Sequence, residues 1–540
     1  MLKQQASLIL IIAAVGGGVA RAQDANMTGL NLLRVVTTNS VNGAGVRVAQ
    51  PEAGYGTATN WEVGPATVGQ PTNLFTYISA SGTATGFPNT VGGESGHAED
   101  VGNDFYGTAN GLATNVAHVD NYDANYFAQE NEIFGNYTLT LPASNINDPV
   151  VNQSFIFCNS DYSHYPVSWE ETIDSQYDNY AAQYETLFIS GAGNGGPTNQ
   201  AQVYPAATCY NGLGVAAYRS DAASCIGPTL DNGRCKPDIT APAGATSYST
   251  PQVAGAAADL IQAALRGDGG TDTNSAADIR TVKALLLNGA VKPAAWTNSN
   301  SSPLDARYGA GVVNVFNSYE QLAGGKHGYI VSTSVSVGGA HPPTGAGGTV
   351  GALSGWDFNT NSSGGSFDAV NHYYFNVTNG VNNATFTATA TLVWNRHYNE
   401  TNINNLDLFL YNAASSNLVT CSTSLVDNVE HIYNTNLAQG RYDLQVLKKG
   451  GTTVTTNETY ALAWEFFSQS VNAAKSGTNV AVSWPVYPAG FLVEAATNLN
   501  PPVLWSTNSL PAPAVTNNQN VILLNATSPV QFFRLQMPDL

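Results

Sequence analysis

Charge is scarce in this chain. Lys, Arg, Asp and Glu make up 11% of its 540 residues, and 19 cations against 38 acids leave a net charge of −19. So acidic a chain repels phosphate, which argues against nucleic acid as a partner. The acidity reads instead as solubility outside a cell. Methionine (3) and cysteine (5) are also few. No C-x-x-C pair or His/Cys cluster suggests zinc. The cysteines permit disulfides in an exported chain without fixing them. Cys158, Cys209, Cys225 and Cys235 can form two bridges in three ways, with Cys421 a distant free thiol; five unpaired thiols is the other reading. Long apolar runs are missing beyond residues 1–22, so no membrane span is expected. Those residues have the form of a secretory signal: Lys3, an apolar run from Leu8 to Val19 too short to cross a bilayer, and Ala20-Arg21-Ala22 as a cleavage site. A secreted or extracellular protein is expected.

What the chain does contain is a set of short, separated motifs in a length sufficient for several domains. Gly244–Gly255 reads GATSYSTPQVAG and runs on as AAADLIQAAL. A helix apolar on every side must be buried. Pro251 is expected in its first turn, where a missing N–H costs nothing. Ala254, Gly255 and Ala256 let neighbours press close. Ser247 then sits on a tight turn feeding the helix N-terminus, where unpaired N–H groups and the dipole favour developing negative charge. That suits a serine attacking a carbonyl; a plain helix cap is the bland reading.

Upstream, Gly45–Ala49 (GVRVA) alternates like a short strand. Glu52 follows just past its C-terminal end, where α/β folds carry functional groups. Ser95–Gly102 (SGHAEDVG) opens a helix and contains His97. Pro149–Phe157 reads as one buried strand and Thr172–Glu185 as a helix. Leu187–Ser190 is a further strand, running into Gly191-Ala192-Gly193-Asn194-Gly195-Gly196. Taken singly, these are a turn glutamate, a helix-start histidine and an asparagine in a glycine turn.

Together the motifs resemble the subtilisin-like serine peptidases, or subtilases. Residues 244–255 are similar to the family's G-T-S-x-A-T-P-x-V-A-G, departing at Ala245, Tyr248 and Ser249. Glu52 falls on the Asp of V-I-D-T-G, His97 on the histidine of H-G-T-H-V-A-G, and Asn194 on the asparagine of A-A-G-N-x-G. Gly227–Gly244, Val282–Ala290 and Tyr308–Asn314 are similar to the family's lead-in and closing segments, so the resemblance covers about residues 40–320. The order acid, histidine, serine is that of the subtilisin constellation.

The resemblance implies a serine endopeptidase acting on polypeptides through an acyl-enzyme. Ser247 attacks, His97 is base and then acid, and Glu52 orients the imidazole in place of Asp. Asn194 and the Ser247 N–H hold the oxyanion. Asp100, Asp104 and Asp120 are the substitutes for the acid, and His118 is structural. The chemistry requires no cofactor. Departures also exist: Asp100 replaces the motif's second histidine, Ser154-Phe155-Ile156 lacks the glycine of the cleft-bordering S-x-G, and the link into the serine motif is short. They support the alternative, a catalytically weak or inactive subtilase-like protein with an adhesion or binding role. Little room precedes the first motif for the folding-assisting prodomain of many relatives.

From about residue 326 the composition shifts to Thr, Val, Asn and Gly with alternating apolar residues, as in Thr385–Trp394. This resembles the jelly-roll domain that follows some subtilase catalytic domains. Such sandwiches often hold structural calcium or brace the catalytic unit, and Asp407 is a candidate ligand. The expected architecture is an α/β subtilisin-like domain over 23–325, with a mostly parallel sheet between helices on both faces. A jelly-roll sandwich over 326–470 and a small β module over 471–540 follow. The last module could serve packing, surface attachment or carbohydrate contact.

Overall fold

The structure is a computed structural model. It describes the backbone of Leu8–Ile9 and residues 25–536, apart from 38–40, 55–59, 132, 134–142, 196–201, 219–223, 379–384, 452–453, 469, 508–509, 517–518 and 526–530. The cleavage site expected at 20–22 and Gly196 lie outside the described residues.

Eight strands form the sheet that carries the site: β1 Arg47–Glu52, β2 Phe75–Ser79, β3 Gly82–Ala84, β4 His118–Asp123, β5 Val150–Gln153, β6 Leu187–Gly191, β7 Leu213–Tyr218 and β8 Ile239–Pro242. Their spatial order is β8-β7-β6-β5-β1-β4-β2-β3. All neighbours are parallel except β3, which returns beside β2. Strands β5 to β8 are buried along their whole length, as a sheet covered on both faces requires.

Two sequence expectations shift here. Strand β1 runs further than Gly45–Ala49, so Glu52 is its last residue and not one just beyond it. Pro51 is tolerated because pairing with β5 stops at Ala49, leaving one flank without a ladder to complete. The single strand expected over Pro149–Phe157 is broken into β5 and a two-residue strand, Ile156–Phe157, which pairs with Leu8–Ile9. It breaks at Ser154, whose hydroxyl turns to the Ser247 carbonyl.

The principal helices are α1 Leu30–Val36, α2 Gly96–Phe105, α3 Val167–Tyr184, α4 Thr246–Arg266, α5 Ile279–Asn288 and α6 Val315–Ala323. Helix α4 is buried from Thr246 to Ala264 except at Tyr248. At Gly255 a Cβ would lie 2.7 Å from the Leu112 Cβ and 3.2 Å from the Phe105 carbonyl, so only glycine admits the chain beside α2. The helix stops at Gly267, in the left-handed region at φ 89°.

The C-terminal region is antiparallel β. Strands β9 Val331–Ser336, β10 Ser354–Ser362, β11 Phe367–Val377, β12 Thr385–Trp394, β13 Leu406–Asn412, β14 Asn417–Ser422, β15 Val429–Ala438, β16 Gly440–Lys448 and β17 Asn457–Phe467 make two sheets, β9-β11-β16-β13-β14 and β10-β17-β12-β15. Apolar residues of both, among them Phe375, Leu444, Trp394 and Trp464, form one core between them. Beyond residue 471 a four-stranded sheet and a two-stranded pair enclose a small core of Val482, Trp484, Val493 and Ile522.

The outer face of the second sheet meets the α/β region. Trp356, Val393, Ala461 and Ala463 share a core with residues of α4, α5 and α6. Polar groups stitch the same seam. Asn288 Oδ1 accepts the hydroxyls of Thr389 and Thr391 at 2.9 and 3.0 Å. Arg396 pairs with the buried Asp178 at 2.6 Å. All five cysteines are free thiols, and Cys158 and Cys225 pack among Ile156, Ala192, Val203, Tyr204 and Ala207 as structural cysteines do.

Candidate active site

Glu52, His97, Asn194 and Ser247 come from the end of β1, the start of α2, the turn after β6 and the start of α4. Parallel strands deliver these groups to the carboxyl edge of the sheet. Ser95 caps α2, accepting the Ala98 N–H at 3.4 Å, and this fixes the turn on which His97 stands.

The His97 Nδ1–Glu52 Oε2 distance is 2.9 Å. Both side chains are buried, at 7% and 1% exposure. Of the four acids considered for this role, Glu52 is therefore the one that meets the imidazole. Asp120 instead pairs with Arg47 at 2.5 Å and with His118 at 3.2 Å. Asp100 lies exposed on α2. His118 also meets the Thr76 hydroxyl at 2.9 Å, in keeping with a structural role. On the far side of the His97 ring, Nε2 is buried and has no hydrogen-bond partner. The ring of Tyr248, next to Ser247, lies 6.2 Å from that of His97, so the start of α4 faces the imidazole.

Ser247 is the second residue of α4 and is 4% exposed. By helix geometry its N–H has no intrahelical acceptor. Asn194 lies against the same turn. Its Oδ1 accepts the Thr246 N–H at 2.9 Å and the Thr246 hydroxyl at 3.2 Å. Those donors fix the amide so that Nδ2, a pure donor, is its remaining end. Gly193, at φ 101°, brings the chain to this place, where a Cβ would strike Tyr204 at 2.7 Å. A cavity lies between Ser154–Ile156, Gly193–Asn194 and Thr246–Ser247. The ensemble can offer a hydroxyl, an imidazole with a buried free nitrogen, and two donors for a developing oxyanion.

Sequence reasoning placed Pro251 in the first turn of α4. It is the sixth residue and lies inside the helix. The N–H that proline lacks is the one that would reach the Ser247 carbonyl, four residues back. The Ser154 hydroxyl takes its place, donating to Ser247 O at 2.9 Å, and Asn152 Nδ2 donates to that hydroxyl at 3.1 Å. Sequence reasoning also missed the partners of Glu52. Gln50 Nε2 donates to Glu52 Oε1 at 3.0 Å, and Gln50 Oε1 accepts the Tyr106 hydroxyl at 2.5 Å. Burial, with the Glu52 charge adding to it, pushes the Tyr106 phenol well above its ordinary value, so it stays a donor. The signal for Gln50 was its place two residues before Glu52 on one strand.

Among the described residues no three His, Cys, Asp or Glu converge as a metal-holding set. Asp407 is paired with Lys449 at 2.8 Å. No described helix is long and apolar enough to cross a membrane.

Residues 52–311 match the profile of the subtilase family. No curated protein sequence matches the chain. Among solved structures it is similar to the prenylagaramide maturation protease PagA, with 18% identity and a TM-score of 0.34 over 55% of this chain and 99% of the other. It is similar also to a protease from Pseudoalteromonas arctica, with 17% identity and a TM-score of 0.32 over 55% and 94%. The PatG macrocyclase in complex with peptide follows, with 13% identity and a TM-score of 0.31 over 55% and 97%. By the profile match, residues 52–311 belong to the subtilase family of serine-type peptidases.

Proposed function

We propose that the chain is a secreted endopeptidase that cleaves polypeptides through an acyl-enzyme formed on Ser247. The observation that carries this reading is the His97 ring, bonded to Glu52 through one nitrogen and left with a buried, unpartnered nitrogen facing the start of α4. Nε2 has no partner in the structure, and its contact with the Ser247 hydroxyl is of the kind that such sites tighten on binding substrate. The Ser247 oxygen bonds to the scissile carbonyl carbon as its proton passes to Nε2. Asn194 Nδ2 and the Ser247 N–H receive the oxyanion. Collapse expels the amine, which takes the proton from His97, and water then repeats the sequence to release the acid and regenerate the serine. Glu52 keeps the imidazole oriented throughout.

In this reading the leader is cleaved on export, and the two sheets after residue 326 are a jelly-roll brace on the catalytic unit. Structural calcium there is a separate matter from the chemistry, which uses no cofactor.

A fluorophosphonate probe tests the proposal. The wild type should label, Ser247→Ala should abolish labelling, and Glu52→Ala should slow it sharply. A wild type that does not label is a binding protein on a subtilase fold. Glu52→Ala labelling at the wild-type rate would leave the class intact and remove Glu52 from it.

A further inference from the structure

Gln50 and Glu52 are two residues apart on β1, and strand alternation puts both side chains on one face. The Gln50 amide is fully used. Its NH2 donates to Glu52 Oε1 at 3.0 Å and to the Ala98 carbonyl at 2.9 Å, while its oxygen accepts the Tyr106 hydroxyl at 2.5 Å. Ala98 follows His97 directly, and Tyr106 ends the same helix. One amide thus ties the acid's strand to both ends of the helix that presents the imidazole. Gln50 and Tyr106 are 0% exposed and Glu52 is 1% exposed.

The amide can adopt only one orientation. Two acceptors on one side require the NH2 group, and the hydroxyl on the other supplies the oxygen with a proton. Reversal would set a carbonyl oxygen against a carboxylate and a peptide carbonyl. A glutamate has one more rotatable bond than the aspartate usual at this position, so its carboxylate needs an additional anchor to stay on one rotamer.

We propose that Gln50 is a positioning residue that holds the longer acid against His97, so that Gln50 and Glu52 work as a pair. This rests on the Glu52–His97–Ser247 reading above. Without the amide, the Glu52 carboxylate, the Ala98 carbonyl and the Tyr106 hydroxyl lose a common partner. Loss of a buried hydrogen-bond partner by a charged carboxylate sets the scale of the kinetic effect.

The test measures kinact and KI for a fluorophosphonate across pH, on the full chain, with thermal melting as a check on folding. Gln50→Leu should lower kinact about 10- to 100-fold and leave KI nearly unchanged. Gln50→Glu is the conservative variant and keeps the proposal testable if the leucine variant does not fold. Its protonated carboxyl can still donate to Glu52, and its ionised form cannot. Its kinact should therefore fall through an additional ionisation that the wild-type profile lacks; a residue that merely fills space would add none. Tyr106→Phe removes one donor and should cost only about 2- to 5-fold. A folded Gln50→Leu with wild-type kinact, or a Gln50→Glu profile of wild-type shape, overturns the proposal. Failure of the underlying reading shows separately, as a wild type that does not label.

Discussion

Replacing Ser154 with alanine should disturb the peptide group of Ser247, and replacing Pro251 should undo much of that damage. The Ser247 carbonyl lacks its intrahelical donor because residue 251 is proline, and the Ser154 hydroxyl substitutes at 2.9 Å. All three residues are buried. Ser154→Ala then leaves a buried acceptor unpaired, at about 1–3 kcal/mol. It also strips the Asn152 amide of its acceptor. In a Pro251→Ala background residue 251 has an N–H, and the helix closes its own bond to Ser247 O. Pro251→Ala gains helix propensity, and an interior proline costs about 3 kcal/mol. Within that background Ser154→Ala should cost about 1 kcal/mol or less, chiefly from Asn152. The cycle should yield a coupling energy of about 1–2 kcal/mol. Urea unfolding of the four proteins measures it, and the fluorophosphonate rate reports whether Ser247 has moved. An unchanged penalty for Ser154→Ala in the Pro251→Ala background would refute the reasoning, for it would mean that the hydroxyl is not standing in for the missing N–H.

The remaining predictions concern the oxyanion site, the seam with the sandwich, and pH. Asn194→Ala should lower kinact about 10²- to 10³-fold, or 2.7–4 kcal/mol, with KI little affected; a loss under fivefold would remove the amide from the oxyanion site. Arg396→Leu should strand the buried Asp178 and cost about 3–5 kcal/mol, read as a lower melting temperature; an unchanged melt would show that the backbone donors Tyr210 and Asn211 suffice. Burial pushes the Glu465 carboxyl from 4.5 up to about 8, against hydrogen bonds from Tyr487 and Gln321. The folded state therefore holds a proton that the unfolded state releases. The associated stability is fully present below pH 4.5 and is lost as pH rises to about 8. Glu465→Gln should flatten that dependence, by a few kcal/mol at about 1.4 kcal/mol per pH unit. Parallel urea midpoints for the two proteins at pH 5 and pH 9 would contradict this.

Ser247 was legible from the all-apolar run behind it, which puts it at the start of a buried helix. Asn194, Glu52 and His97 were legible only through the resemblance of their motifs to those of the subtilases, for each taken singly is an ordinary turn or helix-start residue. What stayed hidden depends on pairs distant in the chain. Nothing near Ser154 announces that its hydroxyl will serve a carbonyl 93 residues later. Pro251 was misplaced because its usual first-turn position is the safe one for a proline, and the compensating donor belongs to another element. Gln50 was visible only as one polar residue in a strand, since its partners Ala98 and Tyr106 lie on α2 and at its C-terminal cap. The broken strand at Ser154 has the same origin: apolar continuity over Pro149–Phe157 signals burial, and burial alone does not say where a ladder ends.

Helix α5 has one side toward α4, which bears Ser247, and another under the sheet that contains Trp464. A peptidase built this way cannot shed its C-terminal β region as an inert tag. Nicking in the sandwich would wet the leucines of α5 and soften the floor beneath Ser247. Autolysis that reached those strands would therefore switch off the enzyme that performed it.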